Sequence, residues 1–313
     1  MAWPLVAAAQ RAEPTTEQVT ERTRSFAALW DVLRARAAGL RIRADQDLIS
    51  TGEFGGANLA WFRTAVSIEA GAPIGDSLSV AFSPAFAWEH LYVDGRNDFI
   101  VSQQRRDTRL TDFYESSFRL GARYDLNDSW GFEVGSGYSA RHESGADYND
   151  AGQAGGSLAV SYRRGSWLRL RLGLGLGSDI ADRELRFSPV FRIQIRPHPD
   201  WTIESSGLGA TVEWQTTRRL ALALGGHVDG TQYRLDKRGR PPTGSGDATL
   251  QRRQAHIDLG LTYRLHDKFR LRTGIGLVLD EELSLLDEDG VDLDSRRNRD
   301  PSATFGIGLV FQL

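Results

Sequence analysis

The 313-residue sequence contains no cysteine, one methionine and only two lysines. Without cysteine there are no disulfides, no thiolate nucleophile and no thiolate metal site. The scarcity of lysine leaves 36 of the 38 basic residues as arginine, a skew that a GC-rich coding sequence explains as readily as function does. Neither sign of charge dominates, and a net charge of −3 argues against nucleic-acid binding by bulk charge. No apolar run approaches the roughly 18 residues of a membrane-spanning helix, so that class is excluded. Glycine is the residue in excess, with 33 copies against an average usage of about 7%. It follows no G-X-Y period, which removes collagen.

Residues 1–10, MAWPLVAAAQ, read as the tail of a signal peptide: a short apolar stretch ending in small residues, with an Ala-x-Ala-like site around Ala7 and Ala9. Residues 15–39 have helical periodicity instead. Val19, Phe26, Leu29, Trp30, Leu33 and Ala37 share one apolar face, Thr15 and Gln18 have capping-box spacing, and Gly39 stands at the expected C-terminal cap. The expectation is an amphipathic helix that packs on the rest of the fold or extends as a periplasmic arm; the sharper alternative is a plug or a helix that docks a partner.

From residue 40 onward the period is two. In WLRLRLGLGLG, Leu168, Leu170, Leu172, Leu174 and Leu176 fall on one face and Arg169, Arg171, Gly173, Gly175 and Gly177 on the other, as a two-faced strand requires. Phe269, Leu271, Thr273, Ile275, Leu277 and Leu279 oppose Arg270, Arg272, Gly274 and Gly276 in the same way. So do Ile257 to Leu265 against His256 to Arg264, and Phe305 to Leu313 against Gly306, Gly308 and Gln312.

Alternation does not say which face is inside. A soluble barrel buries its aliphatic face; an outer-membrane barrel turns it to lipid. Three features favour lipid. The polar face mixes glycine with long arginine side chains, which suits a crowded wet lumen. Aromatics bracket the short turns: Tyr124 and Trp130, Tyr162 and Trp167, Tyr263 and Phe269, with Trp201 and Trp214 beside two more, as an interfacial girdle requires. Connections also sort into short turns (near 71–76, 127–129, 164–166, 197–200, 216–218 and 266–268) and longer ones (near 94–108, 142–151, 178–183, 235–248 and 285–301). Short periplasmic turns opposite longer external loops are the membrane-barrel arrangement.

The count follows from that sorting. Residues 201–215 carry short turns at both ends, so they must go up and return, turning near 205–208 in strands of about six residues. Residues 40–49 supply the partner that the strand at 58–70 needs. The expectation is an all-β, antiparallel, up-and-down transmembrane barrel of about 14 strands over 40–313, with both termini periplasmic. Reading 201–215 as one strand and dropping 40–49 would give 12.

Units such as TYRLHDKFRLRTGIGL resemble those of bacterial outer-membrane β-barrel proteins. The stretch WTIESSGLGATVEW, after FRIQIR, is similar to a family of such barrels with no assigned function. The resemblance covers residues 57–313. It implies outer-membrane lipid as the surroundings and insertion by the barrel assembly machinery. That machinery usually reads a terminal aromatic residue, whereas this chain ends Phe311-Gln312-Leu313.

No catalytic residue, general acid/base pair or cofactor is expected. The six histidines are scattered, none in a metal-binding spacing, and Arg141-His142-Glu143-Ser144 reads as part of an external loop. Asp287, Asp289, Asp292 and Asp294 around Gly290 have calcium-loop spacing but lack the distal glutamate of an EF-hand. They read as a solvated acidic turn before a calcium site. The lumen remains. With the aliphatic face outward, Arg63, Arg119, Arg123, Arg169, Arg171, Arg192, Arg264, Arg270 and Arg272 point inward, together with Glu69, Asp125, Glu133, Glu204, Glu213 and Asp258. Nine arginines against six carboxylates would draw anions into a pore; the alternative is a salt-bridged ladder that merely fills the barrel. Two functions are therefore carried forward: a passive channel for small polar or anionic solutes, and a non-conducting barrel displaying its loops and helix to a partner.

Overall fold

The computed structural model describes residues 39–54, 57–95, 112–181, 183–236, 248–287, 290–298 and 300–313. The expected signal remnant and all but the last residue of the expected helix lie outside them. Gly39, read as a helix cap, is the first residue of a strand.

The strands are β1 (Gly39–Phe54), β2 (Ala57–Ile74), β3 (Leu78–Gly95), β4 (Asp112–Asp125), β5 (Trp130–Glu143), β6 (Gly152–Arg164), β7 (Leu168–Ser178) and β8 (Leu185–His198), then β9 (Trp201–Ser206), β10 (Gly209–Gln215), β11 (Leu220–Arg234), β12 (Thr249–His266), β13 (Phe269–Leu286), β14 (Asp292–Asn298) and β15 (Ser302–Gln312). Consecutive strands pair antiparallel from β1 to β14, β15 pairs with β13, and the ring closes through β1 on β15, from Arg41 opposite Gln312 to Ile49 opposite Thr304. β14 pairs only with the far end of β13, while β15 takes the near end, so the closed barrel has 14 strands. β14 is a strand inside what reads from sequence as a single loop. Arg141, His142 and Glu143, also read as loop, instead end β5.

The six connections 75–77, 126–129, 165–167, 199–200, 216–219 and 267–268 gather at one end. Both ends of the barrel lie there too, with the amide of Leu313 donating to the Leu40 carbonyl at 2.8 Å. Residues 201–215 form the expected short hairpin, which turns at Gly207 (φ 57°), in the left-handed region that glycine enters without steric cost.

Strand length divides the barrel into two tiers. At about 3.3 Å per residue, the 18-residue β12 and β13 run to about 60 Å and the six-residue β9 to about 20 Å. β10 accompanies β11 only as far as Gly226. Above that point β11 leans across, and its last residue, Arg234, bridges to His142 at the end of β5. On the opposite side β14 fills the place beside β1 and β13 that β15 does not reach. The short-turn end is thus a 14-strand ring. The other end is a ring of about nine strands, with β6 to β10 stopping beneath it. Eight strands enclose just enough room for side chains to fill, whereas larger rings leave a lumen. One tier should therefore be solid and the other hollow.

Candidate functional site

The outer face is apolar and exposed. Leu174 is 64% exposed, Leu158 62% and Ile275 60%, whereas Arg171, one strand position away from Leu172, is 1% exposed. A continuous aliphatic belt on a closed barrel is stable against lipid and not against water. At the short-turn end Tyr124, Trp130, Trp167, Trp201, Trp214, Tyr263 and Phe269 are exposed and Tyr162 half-buried. They pair across strands: Trp130 with Tyr162 (ring centroids 4.7 Å), Trp201 stacked on Trp214 (5.6 Å, planes 10° apart) and Phe269 with Phe311 (4.7 Å). Such rings at one level mark the headgroup region.

The narrow tier has a core of its own. Leu59, Trp61, Leu91, Phe113, Tyr233, Leu235, Leu250 and Leu283 are all buried against one another, with Ile49, Ala248 and Leu285 around them. They come from opposite walls. Phe113 of β4 meets Tyr233 of β11 at 4.8 Å, and the Arg252 guanidinium of β12 lies 4.2 Å over the Trp61 ring of β2. A charged layer adjoins this core. Arg63 reaches Glu89 (3.0 Å) and Glu115 (3.5 Å), and Arg141 also reaches Glu115 (2.9 Å). Arg252 joins Glu281 (2.9 Å) to Glu89 (3.6 Å), tying β12 and β13 to β3 across the interior. Below the leaning end of β11, Arg234 donates to the carbonyls of Asp150 (3.2 Å) and Ile180, and the Asp236 amide to Glu143 (2.8 Å). Among the described residues, the interior at this end is filled by packed side chains. Of these residues, sequence reading had placed only Arg63 on the inward face. The available signal was that Leu59, Trp61 and Leu91 occupy the polar phase of their strands.

The wide tier carries two kinds of arginine. Along β4 to β9 they are paired: Arg123 with Asp125 (2.8 Å) and Glu133 (3.4 Å), Arg171 with Glu133 (2.8 Å), and Arg192 with Glu204 (2.8 Å). Arg41 pairs with Glu69 at 3.2 Å. Along β12 and β13, Arg264 stands opposite Arg270, and Arg272 follows two residues on. Among the described residues none of these three has an ion-pair partner. Arg119, Arg169 and Glu213 also occupy the inward phase and are half-buried, half-buried and exposed respectively. Glycine makes room for the carboxylates of this face. A methyl at Gly276 would overlap Asp258 Oδ1, and one at Gly308 would overlap Asp45 Oδ1. At these two positions the glycine is a socket for a carboxylate of the neighbouring strand.

Asp258 contacts His227 (3.2 Å), which also contacts Asp229 (2.8 Å) and stacks on His256. Sequence reading placed these histidines far apart; the β11–β12 register sets them opposite one another. The acidic turn behaves as a hairpin corner between β13 and β14: Asp287 Oδ1 accepts from the Val291 amide (2.8 Å), and Asp292 accepts from the Ser295 hydroxyl. Asp289 and the side chain of Asp294 lie outside the described residues.

Closed ring, aliphatic belt and aromatic girdle together define a membrane-spanning β-barrel of the outer-membrane type. No family model and no curated protein matches the chain. Among solved structures it is similar to an outer-membrane channel from Pseudomonas putida F1, with TM-score 0.48 and 10% identity over 88% of this chain and 96% of that one. A deltaS2 mutant of the TodX monoaromatic hydrocarbon channel gives 0.44 and 10%, over 91% and 93%. The translocator domain of the autotransporter NalP from Neisseria meningitidis gives 0.38 and 14%, over 97% and 99%.

Proposed function

We propose that this barrel is an outer-membrane diffusion channel for small anionic solutes, with its short turns periplasmic and its narrow tier facing outward as a gate. The observation that carries the reading is the contrast between the arginines. Those of the narrow tier and of β4 to β9 sit in ion pairs, whereas Arg264, Arg270 and Arg272 cluster on one wall of the wide tier, where Asp45, Asp47 and Glu213 act on them from beyond ion-pair distance. Unpaired guanidinium groups lining a wet lumen attract anions and repel cations.

The test is planar-bilayer recording of the detergent-purified protein under a salt gradient. Brief steps whose reversal potential lies on the anion side are expected, because the closed tier must open for each event. Silence from the wild type, and also from a variant whose narrow core has been truncated, would reject conduction. A second reading, a non-conducting barrel that displays its outer end, is favoured by one observation: the narrow tier is packed with buried side chains like a protein interior. The truncated variant separates the two.

A further inference from the structure

We infer that the β11–β12 wall holds a binding site for a divalent transition-metal ion, formed by His227, His256 and Asp229 and oriented by Asp258. The two histidines are directly opposite in the antiparallel ladder, both on the lumen face. Their rings lie parallel at 4.7 Å, 14° apart. Asp229 is one step further along the same face of β11, and Asp258 one step back along β12. One donor atom from each of His227, Asp229 and His256 lies within 4.8 Å of the other two. Tetrahedral coordination with bonds of 2.0–2.1 Å needs donors about 3.3 Å apart. Closure is therefore at most about 1.5 Å, within reach of side-chain rotation and without backbone change.

Two further observations point the same way. The Nε2 of His227 faces Asp229 Oδ2 at 2.8 Å while its Nδ1 faces Asp258 Oδ2 at 3.2 Å. A carboxylate on the far nitrogen of an imidazole is the arrangement that fixes a metal-binding histidine in ring orientation and tautomer. That carboxylate is itself seated: Asp258 rests over Gly276 of β13, where any side chain would displace it. The donor set also selects the ion. Two nitrogens and a carboxylate suit zinc, copper, nickel or cobalt, whereas calcium and magnesium prefer oxygen alone.

The location gives the site a consequence. The β10 ladder ends at Ala210, opposite Gly226, and His227 is the next residue of β11. The ion would sit where β11 loses one neighbour and begins to lean towards the closed tier. His227 and Asp229 are about a quarter exposed to the lumen, so the ion can exchange with solvent.

The experiment uses the full chain, tag-free, in detergent and stripped with chelator. Equilibrium dialysis against zinc chloride should saturate at one ion per chain, undisturbed by a large excess of calcium or magnesium. His227→Ala and His256→Ala should abolish saturable binding. Asp258→Asn and Gly276→Ala should each weaken it about 10- to 100-fold, as loss of an orienting carboxylate does. Absence of saturable zinc binding, displacement by calcium or magnesium, or retention of binding in the His227/His256 double variant would overturn the site. Cobalt absorption of the wild type guards against misfolded variants: ligand-field bands of a nitrogen-oxygen site support the assignment, and a hexa-aquo spectrum at saturation rejects it. Neither readout involves conductance, so this site and the channel reading fail independently.

Discussion

The narrow and wide tiers share a wall, yet one is packed like a protein core and the other is lined by polar and charged side chains. The strands that run through both show how. Arg252, Gln254 and His256 are consecutive inward positions of β12, and they pass from the cross-lumen layer to the lumen wall within five residues. What differs is the number of strands around them. Where β6 to β10 have ended, the opposite wall is close enough to touch, so inward Leu, Trp, Phe and Tyr bury one another. Each such burial contributes about 1.5–3 kcal/mol. Where all 14 strands are present, the opposite wall is out of reach and inward residues must be small, polar or charged. Among the described residues, the filling of this end is therefore a property of strand length.

Breaking the narrow tier should have the largest effect. Trp61→Ala removes the centre of the core and the surface on which Arg252 lies. It should cost about 3–5 kcal/mol, read as a lower unfolding temperature on heat-modifiability gels, and should raise channel open probability. Unchanged closure in that variant would mean that the core does not gate. Next comes the paired wall of the wide tier. Glu133→Gln leaves Arg123 with Asp125 but takes the buried carboxylate at 2.8 Å from Arg171, and should cost about 3–5 kcal/mol, as removing one partner of a buried ion pair does. It should leave the narrow tier shut.

Neutralising the unpaired wall tests the other half of the contrast. The triple Arg264→Ser, Arg270→Ser, Arg272→Ser variant breaks no ion pair among the described residues. It should keep the wild-type unfolding temperature within a few degrees while its reversal potential moves towards zero. The smallest effect is expected outside the barrel. Trp214→Ala loses the stacking on Trp201, worth about 0.5–1.5 kcal/mol beyond the buried area, and conductance should not change.

Much of this fold was legible in the sequence. Leu168 to Leu176 and Ile257 to Leu265 alternate cleanly because each strand contacts lipid on one side and the interior on the other. The short hairpin at 201–215 followed from counting turns: a chain that leaves and returns by the same end must reverse in between. The phase of β13 was read correctly as far as Leu279, where a bulge opposite Ala255 and His256 turns Glu281 and Leu283 inward. A bulge adds one residue without a residue type that announces it, so the inward face beyond it was lost, and β14 with it. His227 and His256 were missed for a related reason. They are 29 residues apart, and only the β11–β12 register, set across a long connection, makes them neighbours.

The sequence by itself determined that the chain is a lipid-facing antiparallel barrel, which side of each strand is polar, and where its short turns lie. These are local properties, encoded in a two-residue period and in turn residues. Only the tertiary structure decided that the barrel narrows, which arginines find carboxylates, and that two histidines and their aspartates meet. Each of those depends on distances across or around the ring, set by how many strands reach a given height and in what register they pair.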